Sequence, residues 1–297
     1  MASLPASNFV LPSVDLCGLF EDDASAYTFF SALCREKDGF KCPKCSHDKV
    51  YDLASGRRRC ASCKYTFHEF SRRFINVGAL SFSDWAKLLR YYAEEDTANR
   101  MAPKLQLAYN TVYKAVTTLR FAILAQAMDA PQFLSGGFGS ELGFEGGRIK
   151  HNTGRERLSP IPVFGLIERN GRIFIDLLPQ LEALSVFHFN YNFSLKLVRM
   201  GNLIYTDRYQ RYDALIFCGD DSLPYHCIRK YRHKAFVDEQ SGGFWHFARA
   251  RLARYNGVTP RRFPLYIKEL EFRYNHQDKE LFPLLAQALC SLVPNYD

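Results

Sequence analysis

The sequence predicts a chain of the α/β class, in which a small metal-stapled module and a helical segment precede a larger domain of strands closed by helices. Three observations carry this. Two C-x-x-C pairs fall in a stretch, residues 41 to about 70, that has little apolar content. Apolar residues recur at helical spacing through 82–128. From residue 161 the pattern changes to short β runs, and helical runs follow from Phe244. Strands grouped ahead of helices suit an α/β or α+β domain. A length of 297 residues accommodates one large domain and one or two small ones.

The composition, 47% hydrophobic and 24% charged, is that of an ordinary globular protein. The net charge of +8 points to a polyanionic partner, nucleic acid first, or to no more than a soluble basic protein. No run reaches the roughly 20 apolar residues of a membrane span, so no membrane partner is expected. Met1 to Val14 lacks the basic start and apolar core of a secretory signal. The expected location is cytoplasmic, at the nucleoid in a bacterium, or nuclear in a eukaryote. Thiols stay reduced there, so the nine cysteines are expected as metal ligands or small buried hydrophobes.

Residues 1–38 read as a helical lead-in, with a short helix over Phe20 to Leu33. Residues 39–75 carry Cys42-Pro-Lys-Cys45 and Cys60-Ala-Ser-Cys63, two knuckles 14 residues apart. Four thiolates close a tetrahedral shell that suits structural zinc, and the metal supplies folding energy that so polar a segment lacks. A redox role would need a βαβ setting, which is absent, and His47 and His68 read as surface residues. From Arg35 to Arg73 there are eleven Lys or Arg against five acids. Arg57, Arg58, Arg59, Arg72 and Arg73 are therefore candidates for gripping phosphates.

Residues 80–130 read as helix, helix, short turn, helix, which is helix-turn-helix organisation. Ser83 and Thr97 are the expected caps and Tyr109-Asn110 the expected turn. Val112, Val116, Leu119, Ile123 and Leu124 form the apolar stripe of the last helix. At its start Asn110, Thr111, Tyr113 and Lys114 would face outward toward DNA, with Arg120 a few turns on. Residues 131–159 read as a linker rich in Gly and Ser. Ile161–Arg169 and Arg172–Pro179 read as a hairpin joined by Asn170-Gly171. Leu203 to Asp207 and Tyr225 to Ile228 are further strands, and Phe244–Tyr255 and Pro264–Tyr274 are helices.

Several stretches resemble bacterial insertion-sequence transposases that carry a zinc ribbon, the ISXO/Merlin-like group, from about Phe20 to about Gln277. The ribbon matches in Gly39-Phe-Lys-Cys-Pro-Lys-Cys45 and Cys60-x-x-Cys63-x-x-x-Phe67. The strands match in Pro162 to Gly171 and in Ile204 to Tyr212. The closing helices match in Phe244-Trp-x-x-Ala-x-x-x-Leu252, Asn256-Gly257, Phe263-Pro-Leu265 and Glu269-x-Glu-Phe-Arg-Tyr-Asn275. The resemblance implies a ribonuclease-H-like (DDE transposase) domain over 135–280, and residues 281–297 read as a C-terminal tail helix. It also implies strand transfer by three acidic residues holding two Mg²⁺ ions.

Asp207 fits the second acid of that triad. The first position holds Glu141 where the family has Asp, shortly before Gly146-Gly147, and the third holds Gly242 where the family has Glu. Mg²⁺ tolerates little departure from ideal geometry, and a glycine has no side chain to ligate it. Asp238, Glu239, Glu145 and Asp176 are the available substitutes, each also readable as a surface acid. The sequence thus predicts a transposase-derived protein that binds double-stranded DNA, as a homo-oligomer, with strand transfer lost or impaired. Arg249 and Arg251 would face solvent or DNA, and Arg273 would pair with Glu269. Two alternatives stay open: an active enzyme using Mg²⁺ on substitute or altered carboxylates, and a protein-interaction module with vestigial DNA binding.

Overall fold

The computed structural model describes residues 16–39, 41–78, 80–151, 164–169, 172–177, 198–199, 215–219, 244, 247–248, 251, 254–255 and 262–296. The chain forms two compact units. The first comprises Met1–Leu119 with Leu281–Val293, and the second Arg120–Glu280 with Pro294–Asp297. The mixture of helices and strands is that of an α/β protein. No helix among the described residues is long and apolar enough to cross a membrane.

In the first unit the expected lead-in helix is divided. Helix α1 (Leu16–Glu21) ends where the Asp22 carboxylate accepts from the Ser25 backbone N–H at 2.8 Å, which starts α2 (Asp23–Asp38) as an N-cap. Gly39, at φ 61°, ends it. Helix α3 (Phe82–Ala93) buries Trp85, Leu88, Leu89 and Tyr92, as its spacing predicts. Its cap is Ser81, which accepts from the Asp84 N–H at 3.1 Å, rather than Ser83, whose N–H donates to Asp23 at 2.9 Å. Helix α4 (Ala98–Leu105) follows Thr97, which occupies the cap position without a side-chain bond, and ends at the left-handed Gln106. Helix α5 (Tyr109–Leu124) begins earlier than expected. Tyr109 and Asn110 are its first residues, and the turn precedes them.

The C-terminal helix α9 (Leu281–Leu289) packs against α2 and α3. Segment 72–74 is stitched to the end of this tail. Arg73 donates to the Cys290 carbonyl at 2.6 Å, Phe74 N–H to Ser291 O at 3.2 Å, and Val293 N–H to Arg72 O at 2.7 Å.

In the second unit, part of the Gly- and Ser-rich stretch read as linker is folded. It contains α6 (Ala130–Leu134) and α7 (Gly136–Leu142), with Phe133, Leu134 and Leu142 buried. Gly139 is there for closeness, because a Cβ on it would meet the Leu134 carbonyl carbon and oxygen at 2.6 Å. Strands β4 (Phe144–Glu145) and β5 (Arg148–Ile149) form a tight hairpin. Its two turn residues, Gly146 and Gly147, both have positive φ, as a two-residue type I′ connection requires.

A four-stranded sheet has the order β7-β6-β9-β8. Strands β6 (Phe164–Arg169) and β7 (Arg172–Leu177) pair antiparallel with Arg169 opposite Arg172, the hairpin pairing the sequence predicts, and Asn170 and Gly171 themselves lie outside the described residues. Strand β9 (Leu215–Gly219), not anticipated from sequence, runs parallel to β6, and β8 (Val198–Arg199) pairs antiparallel with β9. The expected strands at 203–207 and 225–228 lie outside the described residues. Phe244, Phe247, Ala248 and Arg251 are helical, consistent with the expected helix there.

Helix α8 (Phe263–Asn275) lies against β7 and offers it polar partners. Asn275 accepts from the Ile173 N–H at 2.7 Å and donates to the Ile173 carbonyl at 2.6 Å, and Glu271 accepts from the Ile175 N–H at 2.7 Å. Two residues before Glu271, Glu269 is 1% exposed. It accepts from Arg120 at 2.7 Å, from Arg273 at 2.8 Å and from the Tyr255 hydroxyl at 3.3 Å. Burial alone would push its carboxyl up, but the charges of Arg120 and Arg273 outweigh that and hold it at about 2. Burial, then the nearby Glu269 charge, pushes the Tyr255 hydroxyl up to about 12. Lys268 pairs with Asp129 at 2.6 Å and Glu271 at 2.8 Å, so the helix is tied to its surroundings by ions on two faces.

Removing the Glu269 charge strands two buried guanidinium groups, so Glu269→Gln should cost about 3–5 kcal/mol in urea unfolding. The ionised carboxylate stabilises the fold fully above its unfolded-state value of about 4.3, and this contribution is lost as pH falls through about 2. The gap between wild type and variant should therefore be constant from pH 5 to 8 and narrow only below about 4. Asn275→Ala should accelerate amide exchange at Ile173 by about tenfold or more, since a half-buried donor loses its acceptor.

Candidate metal centre and nucleic-acid interface

The ribbon is a three-stranded antiparallel sheet of β1 (Val50–Asp52), β2 (Arg58–Cys60) and β3 (Thr66–Phe67). The two knuckles are built alike. Cys42 N–H donates to His47 O at 2.8 Å, and Cys60 N–H donates to Tyr65 O at 3.0 Å, the same five-residue loop in each. Each loop turns through a left-handed residue just after its second cysteine, Ser46 at φ 58° and Lys64 at φ 59°. This repeat brings the Sγ atoms of Cys42, Cys45, Cys60 and Cys63 within 4.8 Å of one another. Cys42 to Cys63 and Cys45 to Cys60 are each 3.6 Å. A tetrahedron with Zn–S bonds of about 2.3 Å has edges of about 3.8 Å, so the four thiols fit zinc and leave no position for a substrate. The site is structural. Among the described residues, Phe67 joins the Cys42 and Cys60 thiols in a small buried cluster, with Val50, Cys63 and Tyr65 partly buried around them.

The basic residues expected at DNA divide into groups. Arg57 and Arg59 are exposed and have no acidic partner among the described residues. Arg58 is half-buried and pairs with Asp52 at 3.1 Å and Glu69 at 3.7 Å. Arg72 is half-buried at φ 61°. Arg73 corrects the expectation. It is 6% exposed, and its guanidinium binds the carbonyls of Glu69, Cys34 and Cys290, so it holds the tail helix instead of a phosphate. Glu69, overlooked in the sequence, also pairs with Arg35 at 3.1 Å. His68 is exposed and the His47 side chain is 40% exposed, so both lie at the surface. Neither belongs to the thiol cluster.

The residues expected to face outward at the start of α5 are open to solvent in different degrees. Asn110 and Lys114 are exposed, and Thr111 and Tyr113 are half-exposed. Tyr109, 46% exposed, stacks on Tyr113 with ring centroids 6.0 Å apart, a pairing the i, i+4 spacing could have shown. Arg120 is a second correction. It is 3% exposed, bonded to Glu269 and laid over the Tyr266 ring at 3.7 Å, because the helix enters the interior by that turn. Arg251 is half-buried over the Phe247 ring at 3.4 Å. The expected Arg273–Glu269 pair is present.

Of the acid positions, Glu141 lies at the C-terminal end of α7, half-buried. Glu145 on β4 is exposed and paired with Lys150. Asp207, Gly242, Arg249, Asp238 and Glu239 lie outside the described residues, as does the side chain of Asp176.

Cys60→Ser should lower bound zinc from one per chain to near zero, read by metal analysis of purified protein. Chelation of the wild type should open the ribbon backbone to protease at 41–67, since the metal supplies its folding energy.

Residues 139–275 match the ISXO2-like transposase domain, and residues 21–66 match the transposase zinc-ribbon domain. A Haemophilus influenzae protein described as an uncharacterized transposase-like protein is 29% identical over 96 residues, covering 30% of this chain and 74% of its own length. No solved structure matches the chain. The two matched domains, in the order and places where the thiol cluster and the closing helix α8 stand, show that the chain belongs to the ISXO2-like transposase family, with that family's zinc ribbon ahead of its transposase domain.

Proposed function

We propose that the chain binds double-stranded DNA as a transposase-derived protein whose strand-transfer activity is lost or impaired. The observation that carries this reading is the set of residues at the three acid positions: Glu141, Asp207 and Gly242. Two-metal chemistry needs ligands on both ions to bring the attacking and leaving oxygens into line. Glycine supplies none, and the extra methylene of Glu141 shifts the oxygen that Asp would present.

The binding parts support the reading. The family is one that acts on DNA, and the net charge is +8. Arg57 and Arg59 on the ribbon, and Asn110 and Lys114 at the start of α5, are exposed and available to phosphates and base edges. In this reading residues 80–130 act as a helix-turn-helix with α5 entering the major groove. Residues 135–280 form a ribonuclease-H-like domain that is retained as a scaffold, and the protein works as a homo-oligomer.

The test places zinc-loaded full-length protein on DNA from the flanks of its own gene, with Mg²⁺ or Mn²⁺, and reads both mobility and new 3′ ends. A shifted band without cleavage is expected, unchanged by Asp207→Ala. Cleavage that Asp207→Ala abolishes would overturn the reading. Lys114→Ala should weaken duplex binding and reduce the salt slope by about one, whereas Arg73→Ala should lower thermal stability and leave the slope of the folded protein unchanged.

A further inference from the structure

The register of the ribbon sorts its residues onto two faces. Val50 lies opposite Cys60, and Asp52 opposite Arg58 opposite Phe67, so one face carries the thiols, the buried cluster and the Arg58 ion pairs. On the other face Tyr51 lies opposite Arg59, which lies opposite Thr66. All three are exposed. They form a row straight across the sheet with one residue from each strand. Arg57, two residues before Arg59, and Lys49, two residues before Tyr51, continue the same alternation at the rim and are also exposed.

Tyr51 is 51% exposed, among the most exposed large apolar side chains described. Unlike Tyr65, which stacks on Phe67 at 6.1 Å, it has no ring partner among the described residues. Arg57, Arg59 and Lys49 have no acidic partner there either, whereas Arg58, on the opposite face, has two. A tyrosine on an open sheet face, beside cations with no acidic partner among the described residues, matches how single strands are held. The base stacks on the ring, the phosphates on either side meet the cations, and any base is accepted because every base has a π-face. A duplex keeps its bases stacked inside and would leave the ring unused.

We propose that this face of the ribbon, Tyr51 with Arg59 and Thr66 and the rim cations Lys49 and Arg57, holds an unpaired DNA strand by stacking one base on Tyr51. The site rests on the reading of the chain as a DNA-binding protein. It adds a preference for unpaired DNA, separate from the duplex contacts of α5. The family's reaction is not required for it.

The experiment measures fluorescence anisotropy of zinc-loaded full-length protein with a labelled oligothymidylate and, separately, with a labelled duplex of equal length. Tyr51→Ala should weaken single-strand binding by about tenfold and duplex binding less than twofold, and Tyr51→Phe should retain both. Arg59→Ala should weaken both forms and reduce the salt slope by about one. Zinc content is measured for every variant. In parallel, the wild type is irradiated with an oligonucleotide carrying 5-iododeoxyuridine and the adduct mapped by mass spectrometry, with Tyr51 the expected residue, so the outcome does not hang on a variant that loses its metal. Equal affinity of Tyr51→Ala and wild type for the single strand, equal losses on both DNA forms, or an adduct map without Tyr51 would each overturn the proposal and leave duplex binding standing. A wild type that binds neither DNA form would overturn the underlying reading as well.

Discussion

Glu269 is a carboxylate almost wholly withdrawn from water, with guanidinium groups at 2.7 and 2.8 Å and a tyrosine hydroxyl at 3.3 Å. Each of these groups alone would be expensive to bury, and together they satisfy one another. The arrangement fixes where α8 can lie, because Arg120 comes from α5 and Arg273 from α8 itself. Once α8 is fixed, Glu271 and Asn275, one turn apart on another face of the same helix, meet the backbone of β7. The aromatic rings of Tyr255 and Tyr266 lie 4.9 Å apart and shield the ion cluster from solvent. The polar residues of Glu269-x-Glu-Phe-Arg-Tyr-Asn275, the family-like run in this chain, are thus architectural ones.

The ribbon solves a different problem. Its buried cluster is three side chains, far short of the core that holds a free-standing domain. Two equal loops, each turned by a left-handed residue after its second cysteine, place four sulfurs with little help from packing. The metal then does for this segment what Glu269 and its partners do for the larger unit. Because the thiols all point to one face of the sheet, the other is left with polar and aromatic residues that have no structural duty.

What was legible in the sequence was what local spacing encodes. The cysteine pairs, the Asn-Gly hairpin, the apolar stripe of α3 and the Arg273–Glu269 pair all depend on residues within a turn or a loop of one another. What was not legible depended on distance. Arg120 reads as an exposed helix residue until Glu269, 149 positions away, is brought beside it. Arg73 looks like one more cation in a basic run until the tail helix, 217 positions on, presents the Cys290 carbonyl. The Gly- and Ser-rich stretch read as linker because glycine usually signals freedom, whereas Gly139 is required by a carbonyl that leaves no room for a side chain. Strand β9 is five residues long and finds its parallel partner 52 positions earlier, as in Phe164 opposite Ile216, a pairing that no turn signal announces.

The hydrogen bonds from Glu271 and Asn275 have a consequence for how copies of this chain can meet. An outermost strand with bare amides invites another chain to add to it, which is a common route to runaway self-association. Here the outward N–H groups of Ile173 and Ile175 are already occupied by side chains of α8. The polar end of that helix therefore acts as a molecular selvedge, a finished border at which the fabric of the sheet stops. Strand addition at β7 is therefore closed, and a neighbour approaching this border meets side chains of α8 in place of bare amides.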